Sequence, residues 1–70
     1  MDTERTQAAA ERLYSLFFFD RGEVAQGNEF LEAASDEDAL DRASYIRPWM
    51  TREVWDRHRL VRVLPPTGSN

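Results

Sequence analysis

Leu13-Tyr14-Ser15-Leu16-Phe17-Phe18-Phe19-Asp20-Arg21-Gly22 is an aromatic run that ends in a turn signal. Three consecutive phenylalanines favour an extended strand, because flat rings pack well on a pleated surface. Alternation then sets Leu13, Phe17 and Phe19 on one face and Tyr14, Leu16 and Phe18 on the other, so both faces are apolar. A helix competes for the same stretch, since Ala9, Leu13, Leu16 and Phe17 follow the i, i+4, i+7, i+8 spacing of a helix face. Asp20, Arg21 and Gly22 supply turn chemistry: an aspartate that accepts from nearby N–H groups and a glycine that takes a positive φ without steric cost.

Residues 23–33 are therefore expected to return as the second strand of a hairpin, with a bulge or irregularity near Gly27 and Asn28. Ser35 then opens a helix. Its hydroxyl is placed to accept from the N–H of Asp38, and Asp36, Glu37 and Asp38 lie in the first turn against the positive end of the dipole. Ala39, Leu40, Ala43 and Ile46 form a narrow stripe of mostly small residues, suited to lying close on a sheet. Pro48 disfavours helical geometry at Arg47, where the helix is expected to stop.

Residues 51–55 and 60–64 read as a second hairpin around Asp56, Arg57, His58 and Arg59. With Arg57 and His58 as the loop, the cross-strand pairs are Trp55 with Leu60, Val54 with Val61 and Glu53 with Arg62. Pro65 and Pro66 stop the last strand. The expected fold is α+β, a small ββαββ domain over residues 13–65 whose two hairpins are joined by one helix on one sheet face. Residues 1–12 form a flexible arm and residues 66–70 a tail.

One helix covers one face of a four-stranded sheet, yet the strands carry apolar side chains on both. A contiguous apolar face rarely stays wet on a soluble monomer, so a homodimer joined by its uncovered faces or its sheet edges is expected. Phe17, Phe19, Trp55 and Leu60 are the candidate interface residues.

Composition agrees. Seventy residues suffice for one domain, and a core of that size seldom supplies more than about 3–5 kcal/mol unaided. There is no cysteine for a disulfide, and one histidine, His58, does not make a tetrahedral zinc site. Oligomerisation is the remaining stabilising device. The longest apolar run, Leu16 to Phe19, falls far short of a membrane span, and the acidic, polar start lacks the features of a signal peptide, so a cytoplasmic protein is expected.

Net charge is −4, unevenly spread: residues 1–41 carry eleven acids and three arginines, residues 42–70 six arginines and two acids. In a small fold such a split commonly means that the halves, or two copies, attract each other. The arginines of the last hairpin also give a second functional reading. Arg52, Arg57, Arg59 and Arg62 gather there with Trp55, and arginine beside an aromatic platform is a way to hold single-stranded nucleic acid or another polyanion. The acidic chain disfavours nucleic acid, and exposed positions paired to nearby acids account for the same residues.

No catalytic set is readable. Four serines lack a nucleophile-elbow context, His58 falls in a turn between two arginines, and three scattered glycines build no phosphate loop. Asp36, Glu37 and Asp38 point in different directions on a helix, and its dipole accounts for them. The chain is therefore expected not to be an enzyme, and no cofactor, metal or small-molecule substrate is expected. It reads as a dimerising protein-interaction module. A subunit that folds only against a larger protein is a third reading.

The run Leu13 to Asp20, then Glu29 and Phe30, the acidic helix start Ser35 to Asp38, Glu53-Val54-Trp55-Asp56 and the closing Leu60 to Leu64 resemble a group of short bacterial proteins of uncharacterised function. That group shares an aromatic first strand, an aspartate-glycine turn, an alanine-rich helix and a glutamate-hydrophobic-tryptophan strand. The resemblance covers residues 13–65. It departs at Arg21 between Asp20 and Gly22, at Pro48-Trp49, and at Arg57-His58 where a glycine turn is expected. It implies a compact α+β fold and brings no activity or functional residues.

Overall fold

The computed structural model describes residues 11–67. Four strands and one helix follow the order β1 (Arg12–Phe19), β2 (Ala25–Ala33), α1 (Asp36–Ala43), β3 (Thr51–Asp56) and β4 (Arg59–Leu64). All four strands join one sheet in the order β2-β1-β3-β4, every neighbouring pair antiparallel. The fold is thus the expected small ββαββ arrangement. Most of the arm lies outside the described residues, but Arg12 already belongs to β1.

β1 is a strand, and it alternates as its sequence requires. Tyr14, Leu16 and Phe18 are buried under α1, whereas Leu13 and Phe17 stay exposed on the opposite face. The Asp20 turn is built by one side chain: Oδ1 accepts from the N–H groups of Gly22 and Val24, both at 2.9 Å, and Oδ2 from Gln26 Nε2 at 2.9 Å. The positive φ expected of Gly22 falls on Glu23 instead, at 63°. Glu23 and Val24 are spent on that turn, so β2 begins at Ala25 rather than at residue 23. The expected irregularity is present: Phe18 pairs with Gly27 and Phe19 with Ala25, which leaves Gln26 as the extra residue.

α1 begins as read. Ser35 Oγ accepts from Asp38 N at 3.1 Å, while Asp38 Oδ2 takes the N–H of Ala34 at 2.9 Å. Ala39 and Ala43 are fully buried, and their small side chains let the helix lie close on the sheet. The helix stops at Ala43, four residues before the expected end at Arg47. Ser44 closes the last turn through its own hydroxyl, which donates to Asp41 O at 2.6 Å, and Ile46 N bonds Ala43 O in a tight three-residue step. Arg47 takes a φ of 46°, outside helical geometry.

The second hairpin departs from its expected register by one residue. Trp55 pairs with Leu60 as read, but a bulge at Val61 makes the next pairs Val54 with Arg62 and Glu53 with Val63. The turn lacks glycine, and Arg57 itself adopts a φ of 61°. The tail is tied back at its start, where Thr67 N donates to Pro48 O at 2.8 Å.

The buried core comprises Tyr14, Leu16, Phe18 and Val54 with three alanines, Ala33, Ala39 and Ala43. Only four of these side chains are large. Among the described residues, no helix is long and apolar enough to cross a membrane.

Candidate interaction surface

The helix covers one face of the sheet, and the pairing register shows what the other face carries. Phe30, Ser15, Trp55 and Leu60 form one row across β2, β1, β3 and β4; Asn28, Phe17, Glu53 and Val63 form the next. Leu13 and Phe19 extend the face at its two ends. Leu13, Phe17, Phe30, Leu60 and Val63 are all exposed, from 37% for Phe17 to 66% for Phe30. Phe19 and Trp55 are half-buried beside them. More large apolar side chains are exposed on this one face than are buried in the core.

Ser15 interrupts that apolar layer. Its small side chain leaves a depression of about 350 Å³ lined by Ser15, Phe17, Phe19, Glu53, Trp55 and Arg57. The Trp55 indole N–H donates to Glu53 Oε1 at 3.0 Å, so the one carboxylate of the depression holds the ring in place. A wider hollow of about 770 Å³ lies at the sheet end, between Arg12, Leu13, Asp56, Arg57 and His58. Within it Asp56 Oδ2 accepts from Arg12 Nη1 at 3.1 Å and from Arg59 Nη2 at 2.8 Å.

All four interface candidates, Phe17, Phe19, Trp55 and Leu60, share the open face. Sequence reading left Phe30 and Val63 out of that set. Phe30 is flanked on its own face by Asn28 and Glu32, a polar setting that hides an apolar residue, and Val63 reaches the face through the bulge at Val61. Tyr45, Trp49 and Val24 are also exposed, but they belong to the loops.

The four arginine candidates do not form one cationic patch. Arg52 is 1% exposed and lies under the sheet against the helix. Its Nη1 donates to Ala43 O, Ser44 O and Ile46 O at 3.2, 3.1 and 3.5 Å, Nη2 to Pro65 O at 2.8 Å, and Nε to Met50 O at 3.0 Å. These carbonyls include the negative end of α1, which is where a cation is stabilised. Burial still presses the Arg52 pKa below its ordinary value. An anion has no access to it.

Arg59 is committed as well. It grips Asp36 in a two-pronged bond, with Nη1 on Oδ2 and Nη2 on Oδ1 at 3.1 Å each, and shares Asp56 with Arg12. Its two carboxylate partners raise its pKa. Asp36 also accepts from the Tyr14 hydroxyl at 2.9 Å, and the bonds from Arg59 and Tyr14 hold its carboxyl below the usual range. Burial, then the proximity of Asp36, push the Tyr14 hydroxyl up. Of the four arginines, Arg57 alone lines the open-face depression; Arg62 sits opposite Val54, in a row of the helix-covered face.

The charge split of the chain is thus realised inside it. Arg59 of the basic half meets Asp36 of the acidic half, and Arg47 meets Glu29 at 3.7 Å while stacking over the Phe18 ring at 4.8 Å. His58 is exposed in the turn. Among the described residues, no group of three histidine, cysteine, aspartate or glutamate side chains is placed to hold a metal ion. Comparison with family models, curated proteins and solved structures finds no match for this chain.

Proposed function

We propose that this chain is a non-catalytic cytoplasmic module that dimerises through its open sheet face and serves assembly with other proteins. The observation that carries this reading is the apolar layer of Leu13, Phe17, Phe30, Leu60 and Val63 on the face without a helix. Four strands about 4.8 Å apart and six residues at about 3.4 Å each give a footprint of roughly 20 by 20 Å. With side-chain relief that is on the order of 600–800 Å² of accessible surface, close to the roughly 800 Å² that each partner contributes to a stable interface.

The edges are poorer routes to the same dimer. β2 carries Glu29 and Glu32 and β4 carries Arg59 and Arg62; within the chain Arg47 meets Glu29, and Asp36 and Asp56 meet Arg59, so Glu32 and Arg62 are the charges each edge would set beside its own copy. Pairing either edge with its own copy sets like charges side by side, which is destabilising. The face brings mainly apolar groups together.

Light scattering on the full chain at low and at about 1 M salt tests the reading, because salt of that strength screens charge pairs beyond about 3 Å and strengthens apolar contact. Twice the chain mass of 8.2 kDa is expected in both buffers. A monomer in both, or a dimer lost in high salt, contradicts it.

A further inference from the structure

The open face is not flat, and its relief is specific. Phe30, the most exposed large apolar residue of the face, stands on β2 directly beside Ser15 of β1. The depression that Ser15 leaves opens toward β3, between Phe17, Phe19 and Trp55. A projection and a hollow of matching character therefore lie side by side on one surface.

Resting on the dimer proposed above, we infer that Phe30 of one copy seats in the Ser15 depression of a second copy, and that the second copy returns the same contact. In a two-fold interface, if residue i meets residue j, then j meets i. A two-fold axis in the plane of the interface, crossing the strands obliquely midway between Phe30 and the depression, carries each onto the other, so a single rotation seats both rings between Phe17 and Phe19.

The chemistry of the hollow suits a phenyl ring. Phe17, Phe19 and Trp55 offer aromatic edges and faces, and paired rings at suitable separation are worth about 0.5–1.5 kcal/mol beyond area burial. Its two charged groups are of opposite sign, Glu53 and Arg57, and Glu53 keeps its bond from the Trp55 indole. A lone buried carboxylate would oppose the contact; Glu53, which accepts from the Trp55 indole in a hollow that also holds Arg57, opposes it less.

A double-mutant cycle on the dimer dissociation constant, measured by sedimentation equilibrium, tests this contact. Phe30 and Phe19 are suited to it: they stand on different strands four register positions apart, so they do not touch within one chain. Each of Phe30→Ala and Phe19→Ala is expected to weaken the dimer at least tenfold. The double variant should fall at least tenfold short of the product of the two effects, because both remove one contact. Substitutions that far apart with no shared partner are otherwise additive. Phe30→Leu, which retains an apolar projection, should give an intermediate loss. A product that is simply multiplicative, or an unchanged constant for Phe30→Ala, overturns the contact while the face-to-face dimer stands. A wild-type chain that is monomeric throughout overturns both.

Discussion

Replacing Arg52 by methionine is expected to remove much of the protein's stability, seen as a urea transition moved to far lower concentration with its slope kept. Methionine reproduces much of the stem volume and none of the five donor contacts. The carbonyls of Ala43, Ser44, Ile46, Met50 and Pro65 lose their shared partner in a place the side chain keeps dry. At about 1 kcal/mol for each of the five acceptors, discounted because four of them are only part-buried, the loss comes to about 3–5 kcal/mol. A chain of this length has roughly 3.5–10 kcal/mol of stability in total at 0.05–0.15 kcal/mol per residue. Arg52 also joins three parts of the fold, the end of α1, the loop before β3 and the end of β4, so the damage is not local. Arg62→Met, on an exposed position of the same hairpin, is expected to stay within about 0.5 kcal/mol of the parent. A loss below about 1 kcal/mol for Arg52→Met would show that the carbonyls find other partners.

Phe17→Glu is expected to convert the dimer to a folded monomer. Phe17 is on the open face, turned away from Tyr14, Leu16 and Phe18, so the core does not feel the change. In a two-fold interface the substitution enters twice, and each new carboxylate must give up water against an apolar surface next to Glu53, its neighbour on β3. At about 2 kcal/mol for each copy, the dissociation constant rises by roughly three powers of ten. Light scattering should report the chain mass and circular dichroism a native spectrum. A native spectrum with an unchanged dimer mass would remove Phe17 from the interface.

Much of this architecture is readable from local chemistry. The alternation through Phe17-Phe18-Phe19, the aspartate turn, the Ser35 cap and the irregularity at Gly27 each depend on neighbours within a few residues, and each occurs in the structure. The failures share a different cause. Arg52 reads as a surface arginine because nothing nearby in sequence marks it as buried; its partners lie on a helix end, a loop and the residue just after β4, which meet only in the fold. The same arginine helps to explain why α1 ends at Ala43, since it collects carbonyls that another helical turn would have used. The one-residue bulge at Val61 is equally invisible in a pattern of alternating valines and leucines, yet it brings Val63 to the open face and sends Arg62 to the other.

The candidate surface was half readable. Phe17, Phe19, Trp55 and Leu60 follow from alternation and one correct strand pair, whereas Phe30 needs the register of β2 to place it beside Ser15. The arginine hairpin is the converse case: a cluster in sequence that the fold disperses into a buried helix clamp, an ion-pair network and two separate exposed positions.

The most direct measurement is a search for contacts between chains by isotope-filtered nuclear Overhauser spectroscopy on a mixture of labelled and unlabelled protein. Cross-peaks are expected between the methyl groups of Leu13, Leu60 and Val63 in one chain and the rings of Phe17, Phe30 and Trp55 in the other. Interchain cross-peaks confined to Tyr45, Trp49 or the strand edges, or none at a concentration where light scattering shows one mass, would contradict a dimer built on the open face.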